Sequence, residues 1–138
     1  MISLDRLDHL VLTVSDVGRT CEFYTAALGC EVIYFGQDPR GNPRRALTIG
    51  TAQKINLHSA DQPLMPAAQV PKPGTADLCF LTKMPLTAVI AHFQHLAIPI
   101  IEGPVQRSGT QGPILSVYIR DPDGNLIEVA TQLNADSH

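Results

Sequence analysis

DHLVLTV at residues 8–14 comes back as ADLCFLT at residues 76–82, 68 positions later, and that recurrence decides the fold. Both stretches are apolar enough, and rich enough in strand-forming residues, to be predicted as strands. After the first, Ser15 and Asp16 offer N-cap chemistry, and Val17, Cys21, Tyr24 and Leu28 form a helical stripe that Gly29 ends. Under the same shift Leu96–Ala97 falls on Leu28–Gly29, which predicts a second helix from about Pro85 to Leu96. Strands are expected at Glu31–Phe35, Arg45–Ile49 and Gln53–His58, separated by DPRGNP and a Gly-Thr turn. In the second half they are expected at Ile98–Glu102, Ile114–Arg120 and Leu126–Thr131, the last two joined by DPDGN, whose Asp-Gly pair signals a hairpin. A β-α-β-β-β unit therefore occurs twice.

The first module is read as residues 4–58 and the second as 74–132. The segment 59–73, with prolines at 63, 66, 71 and 73 and no periodic pattern, is an extended crossover. Either module alone would leave a sheet face uncovered, so the 138 residues are expected to form one α+β domain, with two curved sheets around a shared cleft.

Composition narrows the function. With 44% hydrophobic and 17% charged residues the chain can bury one sizeable core. No apolar run approaches the roughly 20 residues of a membrane span, and no leader is evident, so a soluble cytoplasmic protein is expected. A net charge of −3 without a basic stripe argues against a nucleic-acid partner. Cys21, Cys30 and Cys79 are odd in number and lack a CxxC spacing, so they are expected to be buried thiols in a reducing compartment.

Alternation along each strand sorts its side chains into two faces. In the first strand Leu10, Leu12 and Val14 suit the helix side, which leaves His9 on the other. In the fifth, Leu78 and Phe80 oppose Asp77, Cys79 and Leu81, so Asp77 takes the repeat position of His9. Asn56 and His58 likewise oppose Ile55 and Leu57. Glu128 opposes Ile127 and Val129, and Ser116, Tyr118 and Arg120 oppose Leu115, Val117 and Ile119. If the two sheets curl toward one another, His9, Asn56 or His58, Asp77 and Glu128 share a cleft. Buried imidazoles and carboxylates in an apolar wall need a partner, and a divalent cation is a strong one. Two imidazoles with two carboxylates suit Mn, Fe, Co, Ni or Zn without choosing among them. His92 and His95 flank the core stripe Leu86, Ile90, Phe93 and Ala97 of the second helix and are expected to be solvated. SGTQG (108–112) lacks the setting of a phosphate loop and reads as a hairpin end or lid.

LDHLVLTVSDVGRTCEFYTAALG, PGTADLCFLT and YIRDPDGNLIEV resemble the vicinal oxygen chelate superfamily, which includes glyoxalase I, fosfomycin-resistance thiol transferases, extradiol dioxygenases and bleomycin-binding proteins. The resemblance runs from about residue 4 to 132, and the details of KINLH and IEGPVQRSGTQGPI are similar to the branch of glyoxalase-domain-containing protein 5 and the virulence proteins. It implies metal ligands at His9, at Asp77, at Glu128 and at Asn56 or His58. Asp77 departs from the histidine usual at its position, which would change the geometry and hardness of the site.

The same resemblance implies a metal-dependent, glyoxalase-like lyase, isomerase or thiol transferase. Its substrate would chelate a divalent metal through vicinal oxygens, with Glu128 as catalytic proton shuttle. Of that pair, His58 is expected among the metal ligands and Asn56 among the substrate contacts, alongside Tyr118, Arg120 and Arg107, which offer oriented donors to anionic oxygens. A homodimer is implied as well. The competing expectation is a metal-free protein of the bleomycin-resistance kind that sequesters a small molecule in the same cleft.

Overall fold

The computed structural model describes residues 1–133. Its elements follow in the order β1 (His9–Val14), α1 (Val17–Leu28), β2 (Val32–Gln37), β3 (Pro43–Ile49) and β4 (Gln53–Ser59), then β5 (Asp77–Leu81), α2 (Leu86–His95), β6 (Glu102–Gly109), β7 (Gly112–Arg120) and β8 (Leu126–Gln132). They fall into two compact units, Met1–Pro73 and Gly74–His138. Each carries a four-stranded mixed sheet, ordered β1-β4-β3-β2 in the first and β5-β8-β7-β6 in the second. The architecture is the α+β, glyoxalase-like one that the repeat predicts.

In the first unit, Asp16 caps α1 by accepting the backbone N–H of Arg19 at 2.9 Å. Gly29 ends the helix in the left-handed region at φ 67°, where a residue with a Cβ would be strained. The helix buries Thr20, Cys21, Tyr24 and Ala27 and packs on β3 and β4. Of the expected stripe, Val17 and Leu28 are only half-buried, because the contact face runs through Thr20 and Ala27. Beneath it lie Leu12, Val14, Leu47, Ile55 and Leu57, all buried.

The second unit repeats the plan with α2 on β7. Its core stripe is Leu86, Val89 and Phe93 rather than Leu86, Ile90, Phe93 and Ala97, while His92 and His95 are exposed. The strand expected at Ile98–Glu102 is not formed as such; β6 starts at Glu102. The reason lies in the end of α2. Ala97 turns to φ 56°, and the N–H of Ile98 bonds back to the carbonyl of Phe93, so the chain meets β7 only when the N–H of Ile101 reaches the Tyr118 carbonyl at 2.9 Å. SGTQG closes the β6–β7 hairpin, with Gly109 opposite Gly112.

DPDGN joins β7 and β8 and is also a buried latch. Asp121 Oδ1 accepts the backbone N–H groups of Asp123 and Asn125, each at 2.9 Å. Asn125, fully buried, donates from Nδ2 to Asp121 Oδ2 at 2.8 Å and accepts the backbone N–H of Ala76 at 2.9 Å. The turn thereby anchors the residue that precedes β5, and so the start of the strand that carries Asp77.

Candidate functional site

In each unit the sheet has one face beneath its helix and one opposite. On the opposite face of the first sheet, the parallel register pairs His9 with Lys54, Val11 with Asn56 and Thr13 with His58. On the far side of β4, Asn56 pairs with Ala46, and Arg44 pairs in turn with Phe35. His9, Lys54, Asn56, His58, Arg44 and Phe35 thus share one surface.

His9 is exposed, and its Nδ1 lies 2.8 Å from Asp8 Oδ2. A carboxylate can only accept, so Nδ1 carries the proton in this bond and Nε2 is the ring nitrogen left for another partner, the arrangement that second-sphere carboxylates impose on ligating histidines. The same hydrogen bond lowers the pKa of Asp8. Asn56 is 5% exposed, and its Oδ1 has no hydrogen-bond partner among the described residues. An amide oxygen so buried is costly unless something supplies a positive charge or a donor.

His58 is engaged elsewhere. Its Nε2 lies 3.2 Å from Nη2 of Arg44, and because a guanidinium only donates, Nε2 is the acceptor in that bond. Burial first, and the Arg44 charge second, lower the pKa of His58 and keep the ring neutral. Arg44 lies 4.7 Å from the centre of the Phe35 ring and the Lys54 ammonium 3.7 Å from it, so two cations flank one aromatic face.

On the corresponding face of the second sheet, Glu128 pairs with Cys79 on one side and Tyr118 on the other. Its Oε2 accepts a 2.6 Å bond from the hydroxyl of Ser116, a fully buried serine. The Cys79 thiol is pushed up to about 11 by burial, then by the neighbouring charge of Glu128. It is a neutral thiol and no nucleophile at physiological pH. Burial also raises the pKa of Tyr118. Arg107 donates from Nε to the Tyr118 oxygen at 3.0 Å and from Nη2 to Glu102 at 3.1 Å. Arg120 is exposed and donates to the Gly124 carbonyl at 3.3 Å, which places it over the DPDGN turn. Asp77 opens β5, exposed, as His9 opens β1.

The two registers align the half-sets residue by residue. His9 pairs with Lys54 as Asp77 pairs with Leu126, so Asn56 stands where Glu128 stands in the repeat and His58 where Ala130 stands. His9 with Asn56, and Asp77 with Glu128, are the same diagonal pair. Among the described residues, no group of three or more His, Cys, Asp or Glu side chains is placed to hold a metal ion. His9, Asp77 and Glu128, the three such residues of the expected ligand set, are all described and form no such group. Lys54, Arg44, Phe35 and Glu102 are site neighbours that the alternation alone does not reveal, and for Ser116 it gives the face but not the bond to Glu128. The parity of KINLH already puts Lys54 beside Asn56 and His58, but Arg44 lies outside the expected strand, which starts at Arg45, two residues after β3 begins at Pro43.

This fold, a β-α-β-β-β unit occurring twice, is that of a vicinal oxygen chelate domain. The pattern of the Glyoxalase/Bleomycin resistance protein/Dioxygenase superfamily matches residues 6–129, and the chain belongs to that family. Among its relatives, virulence protein STM3117 of Salmonella typhimurium is 50% identical over 127 residues, 92% of this chain and 84% of that protein. Its crystal structure superposes with a TM-score of 0.88 at 48% identity, covering 96% of this chain and all of the other. Glyoxalase domain-containing protein RDO1 of Mycosarcoma maydis is 46% identical over 134 residues, 97% of this chain and 72% of that protein. An integron cassette protein from the mobile metagenome of V. cholerae superposes with a TM-score of 0.89 at 47% identity, covering 96% and 99% of the two chains.

Proposed function

We propose that this protein is a metal-dependent, glyoxalase-like enzyme whose small substrate presents two adjacent oxygens to a divalent cation. The observation that carries the reading is the first half-set. A histidine with its Nε2 presented by Asp8 stands one diagonal from a buried amide oxygen that lacks any donor. In the repeat the same diagonal is occupied by two carboxylates, Asp77 and Glu128. The proposed ligands, as the family resemblance implies them, are His9, Asn56, Asp77 and Glu128; one imidazole with three oxygen donors favours the harder of the expected metals, Mn or Fe, over Ni or Zn. Asn56 is preferred to His58 because the Nε2 of His58 already accepts from Arg44.

When bound, such a cation supplies Lewis-acid stabilisation of charge developing on the substrate oxygens. The chain supplies the proton handling. Ser116 fixes Oε2 of Glu128, which orients the carboxylate and leaves its other oxygen to take a proton and return it. Tyr118, held by Arg107, offers an oriented hydroxyl to the substrate, and Arg107 adds positive charge beside it. A cytoplasmic homodimer is part of the same proposal.

The second reading, metal-free sequestration of a small molecule, is favoured by the carboxylate of Asp77 where metal-dependent members usually carry histidine. Metal analysis of protein purified without chelators, as wild type, His9→Ala and Glu128→Ala, separates the two. Near-stoichiometric metal in the wild type and strong loss in both variants is expected. Equal metal content in all three overturns metal dependence and leaves the sequestering reading.

A further inference from the structure

The first unit holds a second feature that the proposed metal chemistry does not use. At the end of its sheet, where β3 begins, lies a cavity of about 340 Å³. Arg44 and Arg45 both line it, although consecutive strand residues leave on opposite faces, because the cavity wraps the start of the strand. Ser59 and Gln62 add neutral polar groups, and Val17, Leu57 and Leu64 make an apolar wall.

The charge balance is one-sided. Neither arginine forms an ion pair among the described residues. The one carboxylate in the lining, Asp38, is committed to its own turn, where Oδ1 accepts the backbone N–H groups of Arg40 and Asn42 at 2.9 Å each. Arg44 spends Nη2 on His58, a neutral acceptor, and its Nε is buried with no partner. The Arg45 charge acts on the Cys21 thiol, whose pKa burial, the larger influence, raises, so that neighbour too is a neutral group. A buried guanidinium N–H without an acceptor is costly, and two guanidiniums lining one small cavity repel each other unless an anion lies between them.

We propose that this cavity binds a small organic oxyanion, with its charged oxygens on Arg44 and Arg45 and its hydrocarbon part against Val17, Leu57 and Leu64. The volume sits at the small end of ligand pockets, so the ligand is metabolite-sized. The planar guanidinium of Arg44, held by His58 through Nη2, leaves Nη1 to donate to an oxygen of a carboxylate or phosphate, groups that guanidinium favours. The site shares no residue with the proposed metal ligands and stands or falls independently of them.

The test is calorimetric titration of the full chain with butyrate and with butyl phosphate, with inorganic phosphate as the non-alkyl control. At least one alkyl anion is expected to bind more tightly than inorganic phosphate, and the arm that binds identifies the headgroup. Arg44→Gln is expected to weaken that binding about tenfold or more, as loss of a charge-assisted hydrogen bond does, and Arg45→Gln to weaken it as well. His9→Ala should leave it unchanged, and Arg44→Gln should leave metal content unchanged, so the two proposals fail separately. Should either arginine variant not fold, amide shift mapping on the wild type decides. Perturbations gathered at residues 42–45 and 58–62 support the site. Binding by neither alkyl anion, affinity unaltered in the variants, or shifts centred elsewhere overturns it.

Discussion

Replacing Asn125 with alanine tests whether the DPDGN turn works as a structural latch. The side chain is 0% exposed and makes two hydrogen bonds that alanine cannot, one from the Ala76 N–H at 2.9 Å and one to the Asp121 carboxylate at 2.8 Å. A neutral buried bond of this kind contributes about 1 kcal/mol and one to a charged group about 2 kcal/mol, and the stranded Ala76 donor keeps its desolvation cost. A loss of about 3 kcal/mol is therefore expected. With a urea dependence near 2 kcal/mol per molar for a domain of this size, the unfolding midpoint should fall by about 1.5 M. Urea titration followed by far-ultraviolet circular dichroism measures this, with Gln37→Ala, an exposed strand residue, as the neutral control. Because Ala76 leads directly into β5, hydrogen exchange at Leu78 and Phe80 should also quicken more than at Leu10 and Leu12. A midpoint shift below about 0.5 M would refute the latch, since it would mean that water or a rearranged turn replaces both bonds at no cost.

Two further outcomes follow from the same geometry. Gly103 sits at φ 105°, and a Cβ there would collide with the backbone carbonyl of Ser116, so Gly103→Ala is expected to cost about 3 kcal/mol or more and to yield mostly insoluble protein; a thermal midpoint within a few degrees of wild type would contradict it. His58 has a depressed pKa in the folded state, so the unfolded chain takes up its proton first as pH falls. Its neutral form therefore supports folding fully above the ordinary imidazole value, and that support is lost as pH drops through that value toward the lower folded one. His58→Gln should flatten the stability profile of the protein between about pH 7 and 5, whereas an unchanged slope would show that Arg44 and burial leave the ring untouched.

Much of the fold was legible because periodicity and local chemistry act at short range. The recurrence of DHLVLTV in ADLCFLT, the Asp16 cap, Gly29 and DPDGN each specify an element from a few neighbouring residues, and those elements are present. The strand expected at Ile98–Glu102 failed for a reason that lies outside its own pattern. Apolar residues there satisfy strand propensity, but the carbonyl of Phe93 captures the Ile98 N–H and turns the chain first. Alternation correctly placed His9, Asp77, Asn56 and Glu128 opposite the helix-facing side chains, since a strand's faces are set by parity alone.

Partner choice is another matter, because it is settled across strands, between residues far apart in the chain. Parity could not distinguish Asn56 from His58, which are two apart and share a face. The tertiary structure gives them different partners: the ring of His58 meets Arg44, 14 residues earlier, while Oδ1 of Asn56 has none among the described residues. The same distance effect hid the bond from Ser116 to Glu128, the reach of Asn125 to Ala76 and the two arginines around one cavity. The amino-acid order by itself determined the repeat, the strands and the facing of their side chains. Only the tertiary structure decided which polar group each of those side chains satisfies, because hydrogen bonds are chosen by distance in space and patterns along a chain carry no such distance.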